Sequence, residues 1–134
     1  MTAEPGIDEV AETLAKGHLL IEAALTGFIE RRLVHGTHLA DASLRFYQKS
    51  AIARALCRHQ DESAVWTLMH ALNALRNTLG HRLRSEERDR RMTRVHRTWL
   101  KVHGTLENEP PDAFVVQAAC THCLAFLTAL SNDE

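Results

Sequence analysis

The feature that most constrains the fold of this chain is the scarcity of helix-breaking residues between long segments of helical periodicity. Only six glycines and three prolines occur in 134 residues. Apolar residues recur at spacings of three, four and seven, and no segment shows the alternation typical of a strand. The sequence therefore predicts an all-α fold, a single compact bundle of about five helices over residues 1–134, with about residues 1–7 as a flexible N-terminus.

The predicted helices are separated by turn and capping signals. In chain order they cover about Asp8 to Val34, Asp41 to His59, Asp61 to Leu79, Ser85 to His103 and Pro111 to Leu130. Asp41, Asp61 and Ser85 are candidate N-caps, and Gly104 is a candidate helix end. In the second helix we expect the inward-facing residues to be Leu44, Tyr47, Ala51, Ile52, Ala55 and Leu56. The last helix is apolar almost all round, which is typical of the centre of a monomeric bundle or of a partner interface.

Charge is segregated along the chain, although the net charge is only −1. Residues 1–30 carry six acids and one lysine, whereas residues 82–101 carry eight of the sixteen Lys and Arg. A basic stretch of this kind attracts polyanions, although a solvated helix face with mixed charges gives the same pattern. Arg45 and Lys49 flank the apolar side of the second helix, where they either contact phosphate or are simply solvated.

The termini and the cysteines bear on location and on cofactors. The uninterrupted apolar stretches, such as 114–116 and 123–127, are far shorter than the roughly 20 residues that cross a bilayer. The first residues are acidic, unlike a secretory signal, so we expect a cytoplasmic protein that does not enter a membrane. The order C-T-H-C at residues 120–123 invites a zinc or redox interpretation, but no second pair of ligands follows. Core packing of Cys120 and Cys123 is the favoured alternative, and we expect neither metal nor cofactor.

The third predicted helix ends in the polar sequence L-R-N-T-L-G-H-R, residues 75–82. Arg76 lies four residues after Leu72, so it falls within the apolar stripe, where an unpartnered guanidinium costs several kcal/mol. In an unbroken helix Arg76 and His81 would point about 140° apart. Gly80 allows the helix to end, so that His81 turns back toward the face of Arg76, while Asn77 holds the turn or orients the imidazole.

This R-N-T-L-G-H segment resembles the motif of the HEPN family (higher eukaryote and prokaryote nucleotide-binding domains), in which an Arg and a polar residue precede a His. Residues 14–100, with "GHLLIEAALTGFIERRL" and "LRFYQKSAIARALCRHQDESAVWTLMHALNALRN" among them, are similar to the mannitol repressor-like branch of that family. The resemblance implies a HEPN-like helical domain and a metal-independent endoribonuclease that works as a homodimer. It also implies a role as a toxin or defence component, restrained by an antitoxin or other regulatory protein.

The residue types suit the implied chemistry. Attack of a 2′-hydroxyl on phosphorus needs a proton acceptor and a proton donor near neutral pH, which is the role expected of His81. Arg76 would stabilise the charge on the phosphoryl oxygens, and the products would be a 2′,3′-cyclic phosphate and a 5′-hydroxyl. Asn77, Gly80 and Glu22 would support the site. The basic residues expected to position the RNA backbone are Arg82, Arg84, Arg88 and Arg91.

Two alternatives to this hypothesis stay open. Some relatives keep the fold as non-catalytic regulators, so the same surface would bind a protein or a nucleotide partner. Arg76 and His81 could also be a buried pair that ties down carbonyls at a helix end. Leu83 stands where many HEPN toxins have a tyrosine that is modified by a nucleotidyltransferase antitoxin, which makes silencing by that route doubtful.

Overall fold

The computed structural model describes residues 8–79, 85–104 and 110–133. In this part of the chain it contains five α-helices and one short 3₁₀ helix, without a strand, which confirms the all-α prediction. The helices are α1 (Glu9–Glu30), α2 (Phe46–Leu56), α3 (Ala64–Thr78), α4 (Glu86–His103) and α5 (Asp112–Asp133), and the 3₁₀ helix is Gly36–Ala42. The predicted flexible segment 1–7 lies outside the described residues.

The helices enclose one hydrophobic core. Its largest fully buried side chains come from α1, α3, α4 and α5 and include Phe28, Trp66, Leu72, Val95 and Leu127. The most extensive helix pairings are those of α1 with α5 and of α3 with α4. α2 is short, and its buried residues are Phe46, Ser50 and Ala53, with Cys57 directly after its end; Ile52 and Leu56 are partly buried against the core. One side of the bundle is therefore thinly covered.

Local signals explain most helix ends. Ser63 and Ser85 accept backbone hydrogen bonds as N-caps of α3 and α4, as predicted for Ser85. Gly104 ends α4 at φ 102°, a conformation that a side chain would strain. Asp61 does not cap α3, because the helix begins three residues later at Ala64.

The prediction for the segment before and within α2 is wrong in part: Ile52 and Leu56 are half-buried against the core as expected, but the helix bounds and the burial of three other residues differ. The chain leaves α1 at Glu30 rather than Val34, and Asp41 lies inside the 3₁₀ helix instead of capping α2. Ser43 then adopts a left-handed conformation at φ 50°, so α2 starts only at Phe46. Tyr47, which we expected to face inward, is 61% exposed, and Ala51 and Ala55 are exposed as well.

The uninterrupted apolar stretches of the sequence are too short to cross a bilayer, but the length and composition of α5 as a whole correct that expectation. Residues Asp112–Asn132 form a helix that is long and apolar enough to span a bilayer by length and composition, at a mean hydropathy of 1.7. The helix nevertheless packs against α1, α3 and α4, and it places Val116, Cys123 and Leu127 in the core. α5 is therefore packed as part of the helical bundle, with 39% of its apolar window buried.

α1 and α5 approach each other unusually closely. A Cβ atom placed on Gly17 would lie 2.4 Å from Cys120 Sγ and 2.7 Å from Cys120 Cβ. Real side chains do not come so near, so only the absence of a side chain at residue 17 allows this crossing. Gly17 thus fixes how near the first and last helices lie.

Candidate functional site

An open cavity of about 650 Å³ lies where α1, the start of α2 and the end of α3 meet. α1 contributes His18 and Glu22, residues 45–48 contribute one wall, and α3 contributes Asn73, Arg76 and Asn77. The lining is mostly polar and carries several charges, unlike the core beside it. This arrangement arises because α2 is too short and too polar to fill the space above α1 and α3.

His18 forms the floor of the cavity and is only 4% exposed. Its Nε2 donates a hydrogen bond to Asn73 Oδ1 at 3.0 Å, and its ring stacks on Phe46 with centroids 4.3 Å apart. Burial lowers the pKa of His18 below 6.5, and the positive charge of Arg76 lowers it further, against opposing effects of Asn73 and Glu22. The imidazole is therefore neutral at neutral pH, and the positive charge of the cavity comes from arginine.

Arg76 has an exposed side chain and lines the cavity. We expected this guanidinium to be buried in the apolar stripe of α3, and that expectation is wrong. In the last turn of α3 the buried residues are Leu75 and Thr78, whereas Arg76 faces the cavity. Among the described residues, the guanidinium of Arg76 makes no hydrogen bond or ion pair. It is therefore available to an anion from solution.

Asn77 and Glu22, the expected supporting residues, also line the cavity. Asn77 is exposed in the last turn of α3. Glu22 does not pair with Arg76, because Lys49 of α2 donates to its Oε2 at 3.0 Å. Glu22 Oε1 lies 4.0 Å from His18 Nδ1. Since Lys49 balances the carboxylate, the net charge that the cavity offers to a ligand is positive.

Arg88 and Arg91, which we expected to contact RNA, are held by other parts of the protein. The guanidinium of Arg88 donates two hydrogen bonds, at 2.7 and 3.0 Å, to the carboxylate of Asp8 before α1. Arg91 donates to Glu87 Oε1, to Ala74 O and to Thr78 Oγ1, so it joins α4 to the last turn of α3. These two arginines contribute to the packing of α4, and their contact with RNA stays a prediction.

The other predicted site residues, Gly80, His81, Arg82 and Arg84, lie outside the described residues. The structure describes the chain up to Leu79, directly after the exposed Arg76 and Asn77. The cavity therefore brings together Arg76, Asn77 and Glu22 of the predicted set. Whether His81 joins them stays a prediction.

The cysteines of the C-T-H-C sequence are core residues. Cys120 and Cys123 are buried and form no disulfide. Burial raises the pKa of Cys120 to about 12 and raises that of Cys123 as well, so both are protonated thiols at neutral pH. Core packing, the favoured alternative, is confirmed. Within residues 8–79, 85–104 and 110–133, no group of three or more His, Cys, Asp or Glu is placed to hold a metal ion.

Sequence reasoning missed the pairing of His18 with Asn73. The available signal was a polar residue inside the apolar face of two different helices, since such residues are usually paired with each other when buried. Arg45, for which the sequence leaves open a phosphate contact or a solvated position, has an exposed side chain that forms part of the cavity wall. The cavity thus holds a second guanidinium besides Arg76.

Comparisons of this chain with models of protein families, with curated proteins and with solved structures found no match. The function must therefore be argued from the cavity and from the motif that begins at Arg76.

Proposed function

We propose that this protein is a HEPN-type, metal-independent endoribonuclease that binds the RNA backbone at the cavity lined by Arg76. The observation that carries the proposal is the exposure of Arg76 on an open, polar cavity of about 650 Å³, without an ion-pair partner among the described residues. A structural arginine would be expected to have its donors satisfied by the protein, as those of Arg88 and Arg91 are.

The geometry supports phosphate as the ligand. Arg45 and Arg76 line the same cavity from two different elements, and a guanidinium offers paired donors that match phosphoryl oxygens. Lys49 already neutralises the carboxylate of Glu22, which lowers the repulsion that an incoming phosphate would meet. The neutral imidazole of His18 and the amide of Asn77 add polar groups without negative charge.

In the proposed reaction the 2′-hydroxyl attacks the adjacent phosphorus, and the 5′-oxygen leaves as a hydroxyl. Arg76 stabilises the negative charge that grows on the phosphoryl oxygens. His81 takes the proton from the 2′-hydroxyl or supplies one to the leaving oxygen. If two subunits place their sites face to face, one His81 acts as base and the other as acid. We therefore propose a homodimer, located in the cytoplasm and restrained by an antitoxin or regulatory protein.

The experiment that tests this proposal is incubation of the purified protein with structured RNA in the presence of EDTA. We expect cleavage with 2′,3′-cyclic phosphate ends, and its loss in Arg76→Ala and in His81→Ala. Arg31→Ala is the matched control, because Arg31 is an exposed arginine after α1 whose side chain donates to Ser131 Oγ, and neither residue lines the cavity. Circular dichroism should show the same helix content in all variants.

The alternative is a non-catalytic regulator that uses this surface to bind a protein or a nucleotide. No cleavage by the wild-type protein under any metal condition, with the fold intact, would contradict the endoribonuclease and favour the regulator. If the Arg76→Ala variant still cleaved RNA, the cavity would not be the site of the reaction. The mass of the protein in solution, from light scattering, tests the homodimer separately.

A further inference from the structure

Tyr47 is an exposed aromatic residue between two cavities. It is 61% exposed and lines both the cavity of Arg76 and a second cavity of about 540 Å³ on the other side of α2. Phe114 is exposed to the same extent, so it is the position of Tyr47 between two cavities, rather than its exposure, that sets this ring apart.

The second cavity is basic and is kept open by small residues. Residues 47, 51, 54 and 55 lie on the exposed side of α2, where Ala51 and Ala55 leave space between the larger side chains. Arg54 and Arg58 line this cavity together with His70 of α3. Asp61 also lines it, and Arg54 Nε donates to the backbone carbonyl of Asp61. The cavity is thus lined by two exposed arginine side chains and one exposed carboxylate.

Internal contacts hold the ring of Tyr47 in place. Ser50 Oγ donates to Tyr47 O at 3.0 Å, so the same hydroxyl accepts the hydrogen bond from His70 Nε2, also at 3.0 Å. The rings of Tyr47 and His70 lie 5.5 Å apart at 46°. Burial lowers the pKa of His70, and Arg94 and Arg54 lower it further, so His70 braces the tyrosine as a neutral ring. An aromatic side chain fixed in this way loses little entropy when a flat ligand stacks on it.

We propose that Tyr47 stacks on a base of single-stranded nucleic acid, with the phosphates on either side of that base lying in the two basic cavities. Arg45 and Arg76 of the first cavity and Arg54 of the second would meet the backbone, while the ring selects an unpaired base. Successive positive sites with an aromatic ring between them are typical of surfaces that bind single strands without reading their sequence. In a duplex the faces of the bases are already stacked, so Tyr47 would gain no contact there.

This inference rests on the proposed function, because it assigns the class of RNA to the same site, and binding tests it apart from cleavage. The test uses full-length protein carrying His81→Ala, which removes the proposed proton donor and acceptor. Fluorescence anisotropy would measure the Kd for a fluorescein-labelled oligoribonucleotide of mixed sequence, single-stranded and as its duplex. We expect tighter binding of the single strand.

Substitutions of Tyr47 separate stacking from simple apolar contact. We expect Tyr47→Ala to weaken binding of the single strand by about 5-fold to 100-fold, and Tyr47→Phe to stay within about twofold of the parent. Tyr47→Leu keeps apolar area but no ring, so its affinity should resemble that of the Ala variant. Arg54→Ala should lower the slope of log Kd against log salt concentration, because one phosphate contact is lost.

Three results would overturn the inference: equal affinity for single strand and duplex, equal affinity of the Phe, Leu and Ala variants, or no binding of RNA. The first two leave the endoribonuclease standing if the wild-type protein cleaves RNA. Conversely, Tyr47-dependent binding by a protein that never cleaves RNA would support the stacking surface and contradict the nuclease. If only a protein partner binds, and Tyr47→Ala abolishes that binding, the surface is a protein interface instead.

Discussion

The arginines at the start of α4 and those around the α1–α3 cavity lie in opposite environments. Arg88 and Arg91 donate to acceptors of the protein itself, at 2.7 to 3.0 Å. Arg45 and Arg76 are exposed, and their guanidinium groups make no hydrogen bond or ion pair within the part of the chain that the structure describes. The number of basic residues in a stretch of sequence therefore does not show where positive charge is available to a ligand. In the densest basic stretch, residues 82–101, Arg88 and Arg91 hold helices together.

The largest expected effect comes from Arg76. Arg76→Ala should lower the rate of RNA cleavage by roughly 10²-fold to 10³-fold, because the charge on the phosphoryl oxygens loses its donors. Arg76→Lys should recover little of this, since an ammonium group does not reproduce the paired donors. Single-turnover cleavage assays measure the rates. The free energy of unfolding should change by less than about 0.5 kcal/mol in either variant, and a large loss of stability would place Arg76 with the structural arginines.

The next effect is on stability and concerns Arg91. Arg91→Met should lower the free energy of unfolding by about 2 kcal/mol, because Ala74 O and Glu87 lose a charge-assisted donor. Urea denaturation followed by circular dichroism measures this change. Arg90→Met is the matched control, since the neighbouring Arg90 side chain is 74% exposed and pairs only with Glu87 among the described residues, so its loss should cost less than about 1 kcal/mol.

RNA affinity tests the same division between the two kinds of arginine in the variants Arg91→Met and Arg90→Met. We expect Arg91→Met to bind RNA as tightly as the wild-type protein at a temperature where both are folded. A selective loss of affinity in Arg91→Met, with the Arg90→Met protein unaffected, would contradict the division between structural and available arginines.

The smallest effect is the pH dependence of the contact between Asp8 and Arg88. The hydrogen bonds from Arg88 hold the pKa of Asp8 below its ordinary 3.8, against an opposing effect of burial. A lowered pKa in the folded state means that the contribution to stability is complete above the pKa of the unfolded chain and is lost as the pH falls through that of the folded protein. The Asp8 side chain is partly exposed, so the contribution should be less than about 1 kcal/mol.

Asp8→Asn isolates this contribution, because asparagine still offers a carbonyl oxygen to cap α1 at Ala11. The wild-type protein should be more stable than the variant above about pH 5, and the difference should shrink as the pH falls below 3.8. Urea midpoints at a series of pH values measure it. A difference that is the same at every pH would show that the charge of Asp8 contributes nothing.

The sequence predicts α3, α4 and α5 well, because their apolar residues repeat over several turns and are flanked by residues such as Ser85 and Gly104 whose local chemistry favours a helix end. It fails around α2 for two physical reasons. The left-handed Ser43 interrupts a segment that reads as continuous helix. α2 is also short and rich in alanine, so its apolar residues define a buried face only weakly. The sequence predicts that the face with Tyr47 is buried, whereas the structure buries the face with Ser50.

The candidate site was predictable in part. The motif singled out Arg76 and Asn77, but helical periodicity placed Arg76 in the buried stripe instead of on the open cavity. Its exposure depends on how far α2 extends over α3, which no periodicity in α3 can reveal. The hydrogen bond between His18 and Asn73 joins residues that are distant in sequence. Only the packing of α1 against α3 determines that these two side chains are partners. Such tertiary arrangements are what a single sequence leaves open.

The crossing of α1 and α5 at Gly17 has a consequence for how this sequence can diverge. The sulfur and the Cβ of Cys120 occupy the space that a methyl group at residue 17 would need. A larger side chain at residue 17 therefore requires a smaller one at residue 120. Homologues that keep this crossing and carry alanine at the first position should carry glycine at the second. Covariation of residues 17 and 120 would identify the homologues in which α1 and α5 still cross at this place.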